Sequence, residues 1–205
     1  MSRPRAAVLA TLPVVAVLWT VMFAWKPLDF WLVMVFSQAC MIAAAMRLDP
    51  DLLRDLRPAL APAALGLGSA AILYGVFVAG HAVSTRLLPF AGGQIADIYA
   101  VRDEWRASIV GALLFLVIGP GEEIYWRGLV QGELSKAWGT RAGVLVTAAL
   151  YAGVHLPSRN FMLVAAALVC GLFWGLMYAW KRSLLANVVS HAVWDVLVMI
   201  VLPIR

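Results

Sequence analysis

The chain has 205 residues, 63% of them hydrophobic and only 13% charged, with a formal net charge of +5 and a mean hydropathy of +0.89. Globular domains run nearer to about 45–50% apolar and about 25% charged, so this composition excludes a water-soluble globular enzyme. The basic residues are scattered between apolar runs rather than clustered, which excludes a nucleic-acid-binding face and fits a bias toward one membrane leaflet.

Spanning helices need roughly 20 mostly apolar residues each. The fold class expected is therefore all-α, a polytopic transmembrane helical bundle of about seven spans (six to eight), forming one integral membrane domain over residues 1–205. Residues 6–25 make the first span, retained rather than cleaved because the run is long and no small-residue cleavage site follows it. Residues 28–46 make the second, after a tight Lys26-Pro27 turn bracketed by Trp25 and Trp31, whose rings favour the membrane–water boundary. The stretch 47–57 carries both signs of charge and reads as a short surface helix or loop. Residues 59–80 form a Gly- and Ala-rich third span suited to close helix packing. Residues 81–106, with Gly92-Gly93-Gln94, read as the longest polar connection.

Residues 105–136 read as one long helical element, broken or kinked at Gly119-Pro120-Gly121, where proline removes a backbone donor. Further spans are expected at 141–156, 161–180 and 184–203. Cys40 and Cys170 each fall inside an apolar segment and read as small core residues. With the N-terminus inside, ten of the 16 Lys and Arg residues, among them Arg3, Arg5, Lys181 and Arg182, fall on the inner side and six, including Lys26, Arg86 and Arg205, on the outer. That excess predicts a cytoplasmic N-terminus in the cell membrane, plasma or inner.

The informative stretch is Gly119-Pro-Gly-Glu-Glu-Ile-Tyr-Trp-Arg-Gly128, which follows the apolar run 108–118. Ionisable groups at bilayer depth are costly and mark functional sites by default. Glu123 and Arg127 are four apart with the acid N-terminal, the favourable order for a helical ion pair. Glu122 lies about 100° further round the helix, free to face the bundle interior. The plainer alternative is that all three form a structural ion-pair cluster.

Two histidine motifs argue against that alternative. Glu122 precedes Gly139 by 17 residues and His155 follows it by 16. In an antiparallel hairpin turning at Gly139 both come out at one height, ~25 Å from the turn at about 1.5 Å per residue. His191 and Asp195 share a face of the last helix, ~12–18 Å beyond Ser183 by the same rise. The heights agree if 131–141 projects from the hydrocarbon. Taken singly, His155 reads as a helix-end histidine stopped by Pro157, and His191 with Asp195 as a local pair. Together the four groups are expected to line one cavity.

A carboxylate beside an imidazole in a dry pocket can take a proton from water and give it later to a leaving amine. A histidine held by Asp195 can donate to the oxyanion of a tetrahedral intermediate. Ser190 points about 100° away from His191, and no serine or cysteine has the spacing of a nucleophile. The set fits water-attack hydrolysis of an amide. Glu122, His155 and His191 are also types that bind zinc, although the chain lacks the HExxH signature. No cofactor is expected, with zinc the lesser alternative.

These residues resemble the CPBP family of intramembrane endopeptidases, the CAAX proteases and the Abi-like, bacteriocin-processing enzymes. Its EExxxR motif is matched by Glu122, Glu123 and Arg127, followed by Gly128. Its FxxxH motif is matched by Tyr151 through His155, with Tyr in place of Phe. Its HxxxN or HxxxD motif is matched by His191 and Asp195. The likeness covers residues 118–198, inside a motif-bearing core of about 104–203. It implies Glu122 as general base and His155 beside the catalytic water. It also implies His191 and Asp195 on the oxyanion side, with Glu123, Arg127 and Tyr151 supporting the site.

The function expected is thus a glutamate-type protease acting on a membrane-anchored protein or peptide within the lipid bilayer, in CAAX-like or C-terminal anchor processing. Two other classes compete with it. A non-catalytic immunity or scaffold protein would keep the motifs for stability alone. A small transporter would use the carboxylates as a proton relay, but such folds often carry an internal repeat, and none is visible.

Overall fold

The computed structural model describes residues 3–204. Arg205, counted above among the outer charges, lies outside the described residues, as does the side chain of Arg3. The first apolar run folds as α1 (Arg3–Thr20), continued by a π-helical turn Val21–Trp25. Lys26 then takes a left-handed conformation (φ 51°) and closes the turn. Helix α2 (Phe30–Leu48) starts at Asp29, whose side chain accepts the Leu32 backbone N–H, the usual way an N-cap satisfies an orphan donor. Trp25 is 75% exposed, as a boundary residue should be. Trp31 instead is buried, and its indole N–H donates to the Val101 carbonyl.

Pro50–Leu56 is a 3₁₀-helix, in keeping with the charged surface segment expected there. Helix α3 (Leu60–Leu87) runs seven residues beyond the expected third span. The supposed polar connection therefore shrinks, and most of the remainder folds as α4 (Ala91–Arg102). Gly92 and Gly93 do not break α4 because they fall in its first turn, where fewer intrahelical bonds depend on them.

Helix α5 (Ala107–Trp138) is continuous through Pro120. The expected break is absent because the preceding turn, Leu114–Ile118, is π-helical, so the bond pattern is already shifted where the proline lacks its N–H. A second π-helical stretch covers Ile124–Gln131. Such stretches are rare and concentrate at functional sites; here they enclose the segment Gly119–Glu123.

Gly139 turns the chain at φ 85°, a conformation with little steric cost only for glycine, and α6 (Thr140–Gly153) runs back along α5. At 14 residues, α6 is ~21 Å long, short of the roughly 30 Å hydrocarbon core. The expected span at 141–156 is thus a shorter helix that ends before His155. Helices α7 (Phe161–Lys181) and α8 (Leu184–Val201, π-helical from Leu197) complete the chain.

Six helices among the described residues are long and apolar enough to cross a membrane: α1, α2, α3, α5, α7 and α8. Helix α8 packs on α3 and on the middle of α5, α6 packs between α5 and α7, and α2 lies against the second half of α5. A Cβ on Gly119 would fall 2.9 Å from the Ala192 backbone nitrogen. The absence of a side chain there lets α5 and α8 touch beside His191.

Candidate active site

The two adjacent glutamates face different surroundings. Glu123 is wholly buried and fully engaged. Its Oε1 lies 3.0 Å from Arg127 Nη1 and accepts His191 Nδ1–H at 2.8 Å. Its Oε2 accepts Asn187 Nδ2 at 3.0 Å. Asn187 also donates to the Trp174 carbonyl at 2.8 Å, so α5, α7 and α8 are joined through one carboxylate. Arg127 lies over the rings of Tyr151 (4.9 Å) and Trp174 (5.4 Å). Its Nη2 donates to the Cys170 carbonyl at 3.3 Å. Aromatic faces and a paired carboxylate together compensate a buried guanidinium.

Glu122 points into a cavity of about 500 Å³ that is also lined by Tyr151, His155, Trp174, His191 and Asp195. The Tyr151 hydroxyl donates to its Oε2, and Gln38 Nε2 donates to Oε1 at 3.4 Å. The rest of the cavity wall is mostly apolar, with Phe23, Phe30, Trp31 and Phe77 prominent. A mostly apolar pocket holding a few convergent polar groups is the usual form of a binding site.

His155 follows α6 and shares the cavity with Glu122, as the hairpin spacing predicts, although Tyr151, one turn earlier, is the group bonded to the carboxylate. His155 Nδ1 lies 2.7 Å from the Tyr151 carbonyl. A carbonyl oxygen only accepts, so Nδ1 carries the hydrogen and Nε2 of the neutral ring is left as an acceptor. Edge contacts from Trp19 (4.6 Å) and Tyr151 (5.1 Å) fix the ring.

His191 lies beside Asp195, as its spacing suggests, and has in Glu123 a second partner that the spacing did not give. The ring is held by Glu123 through Nδ1, and Asp195 stands 3.5 Å from Nε2, with its Oδ2 making no hydrogen bond among the described residues. Trp174 stacks on the imidazole at 3.7 Å. The Ser190 hydroxyl accepts the Trp174 indole N–H at 3.0 Å and is directed away from the acidic pair. Glu123 Oε1 and His191 Nδ1 are 2.8 Å apart, so the glutamate motif and the last histidine motif lie at one height.

Among the described residues no three His, Cys, Asp or Glu side chains converge in a geometry that could hold a metal ion. Gln38 and Asn187 were not singled out by sequence reasoning. Asn187 carried a usable signal, since it precedes His191 by the same four residues that separate His191 from Asp195. Gln38 is an isolated amide in an apolar span, a polar group at bilayer depth that was open to the argument applied to Glu122.

Compared with known families, residues 104–197 match the type II CAAX prenyl endopeptidase Rce1-like family. No curated protein and no solved structure matches the chain. The matched segment begins just before α5 and ends just after Asp195, so it contains both glutamates, Arg127, Tyr151 and both histidines of the cavity. Residues 104–197 of this polytopic helical membrane protein are thus similar to the Rce1-like CAAX endopeptidases, a match consistent with a CPBP family intramembrane protease.

Proposed function

We propose that the chain is an intramembrane endopeptidase that cleaves a membrane-anchored protein or peptide by glutamate-activated water attack. The observation that carries this reading is the division of labour between neighbours. Glu123 is saturated by Arg127, His191 and Asn187, while Glu122 faces the cavity with lone pairs to spare.

Glu122 takes a proton from a water whose orientation is fixed by His155 Nε2. The hydroxide attacks the scissile carbonyl carbon. His191 Nε2, on the cavity side, donates to the oxyanion. Because Nδ1–H is already given to Glu123, a proton on Nε2 makes the ring an imidazolium, and Glu123 supplies the balancing charge. The C–N bond then breaks, Glu122 gives its proton to the leaving amine, and a free carboxylic acid and an amine result. The apolar wall accommodates the hydrophobic part of the substrate.

The test is cleavage of a panel of lipid-anchored and helix-anchored peptides by the purified protein in lipid nanodiscs, read by mass spectrometry. Cleavage lost in Glu122→Gln supports the reading. A wild-type protein that cleaves nothing, or a Glu122→Gln variant that cleaves as well, would favour a non-catalytic immunity or scaffold role.

A further inference from the structure

The carboxylate of Glu122 is gripped at both oxygens by residues from two other helices. Gln38 of α2 donates through Nε2 to Oε1, and Tyr151 of α6 donates through its hydroxyl to Oε2. We propose that Gln38 and Tyr151 are positioning residues that together fix the plane of the Glu122 carboxylate and so aim its remaining lone pairs at the substrate water. The proposal rests on the proteolytic reading above for its consequence, though not for its geometry.

Each half of this clamp is itself immobilised. The Tyr151 ring has Arg127 over its face at 4.9 Å and edge contacts to Trp126 (5.5 Å) and His155 (5.1 Å). Gln38 is completely buried. Its Nε2 also lies 3.3 Å from the Met34 sulfur. A Cβ on Gly121 would fall 2.6 Å from Gln38 Oε1, so the glycine before Glu122 is what admits the amide beside it. Only the nitrogen end of the amide can donate to a carboxylate, which fixes which way it faces.

The clamp matters because glutamate has among the largest side-chain rotational freedoms. A base that wanders by about 1 Å forfeits on the order of 100-fold in rate. Two donors leave at least two of the roughly four lone-pair sites of a carboxylate unoccupied. Neither donor is explained by the motif alone. At position 151 the resemblance calls for Phe, and the hydroxyl is this chain's addition. Gln38 lies outside residues 104–197 altogether, so the first part of the chain contributes to the site.

The experiment pairs two measurements on full-length protein in nanodiscs. Infrared difference spectra first assign the Glu122 carboxyl stretch by its loss in Glu122→Gln. Tyr151→Phe and Gln38→Met should each shift that band, and each should lower kcat on the cleaved peptide roughly 10- to 100-fold with KM and Tm unchanged. Gln38→Asn, which keeps an amide but withdraws it by one methylene, gives the same shift if Gln38→Met fails to fold. A band that stays in place in all three variants overturns the clamp, as does a fall in Tm or a rise in KM with kcat intact. A shifted band in a protein whose wild type cleaves nothing upholds the clamp and overturns the proteolytic reading.

Discussion

His191 Nδ1 and Arg127 Nη1 converge on the same oxygen of Glu123, at 2.8 and 3.0 Å. That oxygen ties α8 to α5 inside the bundle, and the other oxygen adds Asn187. Glu123→Gln should therefore be strongly destabilising. The amide offers one acceptor where the carboxylate offered two, and it leaves a buried guanidinium without a countercharge. Breaking one side of a buried pair costs about 3–5 kcal/mol, to be read as a lowered unfolding midpoint in detergent. An unchanged midpoint would show that Arg127 finds its compensation elsewhere.

Glu122→Gln should behave in the opposite way. The substitution keeps the shape, and its carbonyl oxygen can still accept from Tyr151 or Gln38, so the unfolding midpoint should move little. Cleavage of an anchored peptide should fall below detection, because an amide cannot take a proton from water. If Glu123→Gln proved inactive at unchanged stability while Glu122→Gln lost stability alone, the two roles would be exchanged.

Gly119 offers a test of how the site is assembled. A methyl group there would press on the Ala192 backbone, 2.9 Å from its nitrogen, at the residue next to His191. Gly119→Ala should cost about 1–3 kcal/mol, as overpacking does, and should reduce activity by displacing His191 from Glu123. Gly153→Ala is the control, since a Cβ at that position meets nothing within 4 Å and should leave both stability and activity as they are.

The parts of this site legible in sequence were those fixed by local spacing. Four residues separate Glu123 from Arg127, and the pair forms. Near-equal distances from Gly139 anticipate that Glu122 and His155 line one cavity, although the helix ends at Gly153 and Tyr151, one turn earlier, is the residue bonded to the carboxylate. The unread parts depend on rotation and on long-range approach. His191 meets Glu123 across 68 residues, where Gly119 lets α5 and α8 touch at Ala192, and no spacing within α8 announces that partner. Gln38 meets Glu122 across 84 residues, and no periodicity within α2 could announce it. The span expected at 141–156 failed for a different reason. Hydropathy marks apolar residues, but the helix ends at Gly153, and His155-Leu156-Pro157 turns away to carry the imidazole.

The last prediction concerns metal and turns on Asp195. Under the glutamate mechanism the charge of Asp195 is dispensable, because Glu123 already balances His191, from which Asp195 stands 3.5 Å away with no hydrogen bond from Nε2 to its Oδ2. Asp195→Asn should then be tolerated, since the amide keeps the volume and adds a neutral donor on the oxyanion side. Protein purified in a strong chelator should also keep its activity. A catalytic zinc would instead draw Glu122, His155 and His191 together as ligands, with Asp195 orienting His191 from behind. In that arrangement Asp195→Asn should weaken metal affinity by about 10–100-fold, and added zinc should restore the variant. The measurement is peptide cleavage by wild type and Asp195→Asn across a zinc titration, with elemental analysis of both. Activity that is indifferent to zinc in both proteins fits water activation by Glu122 alone. Loss in the variant that zinc reverses would place the metal at Glu122, His155 and His191.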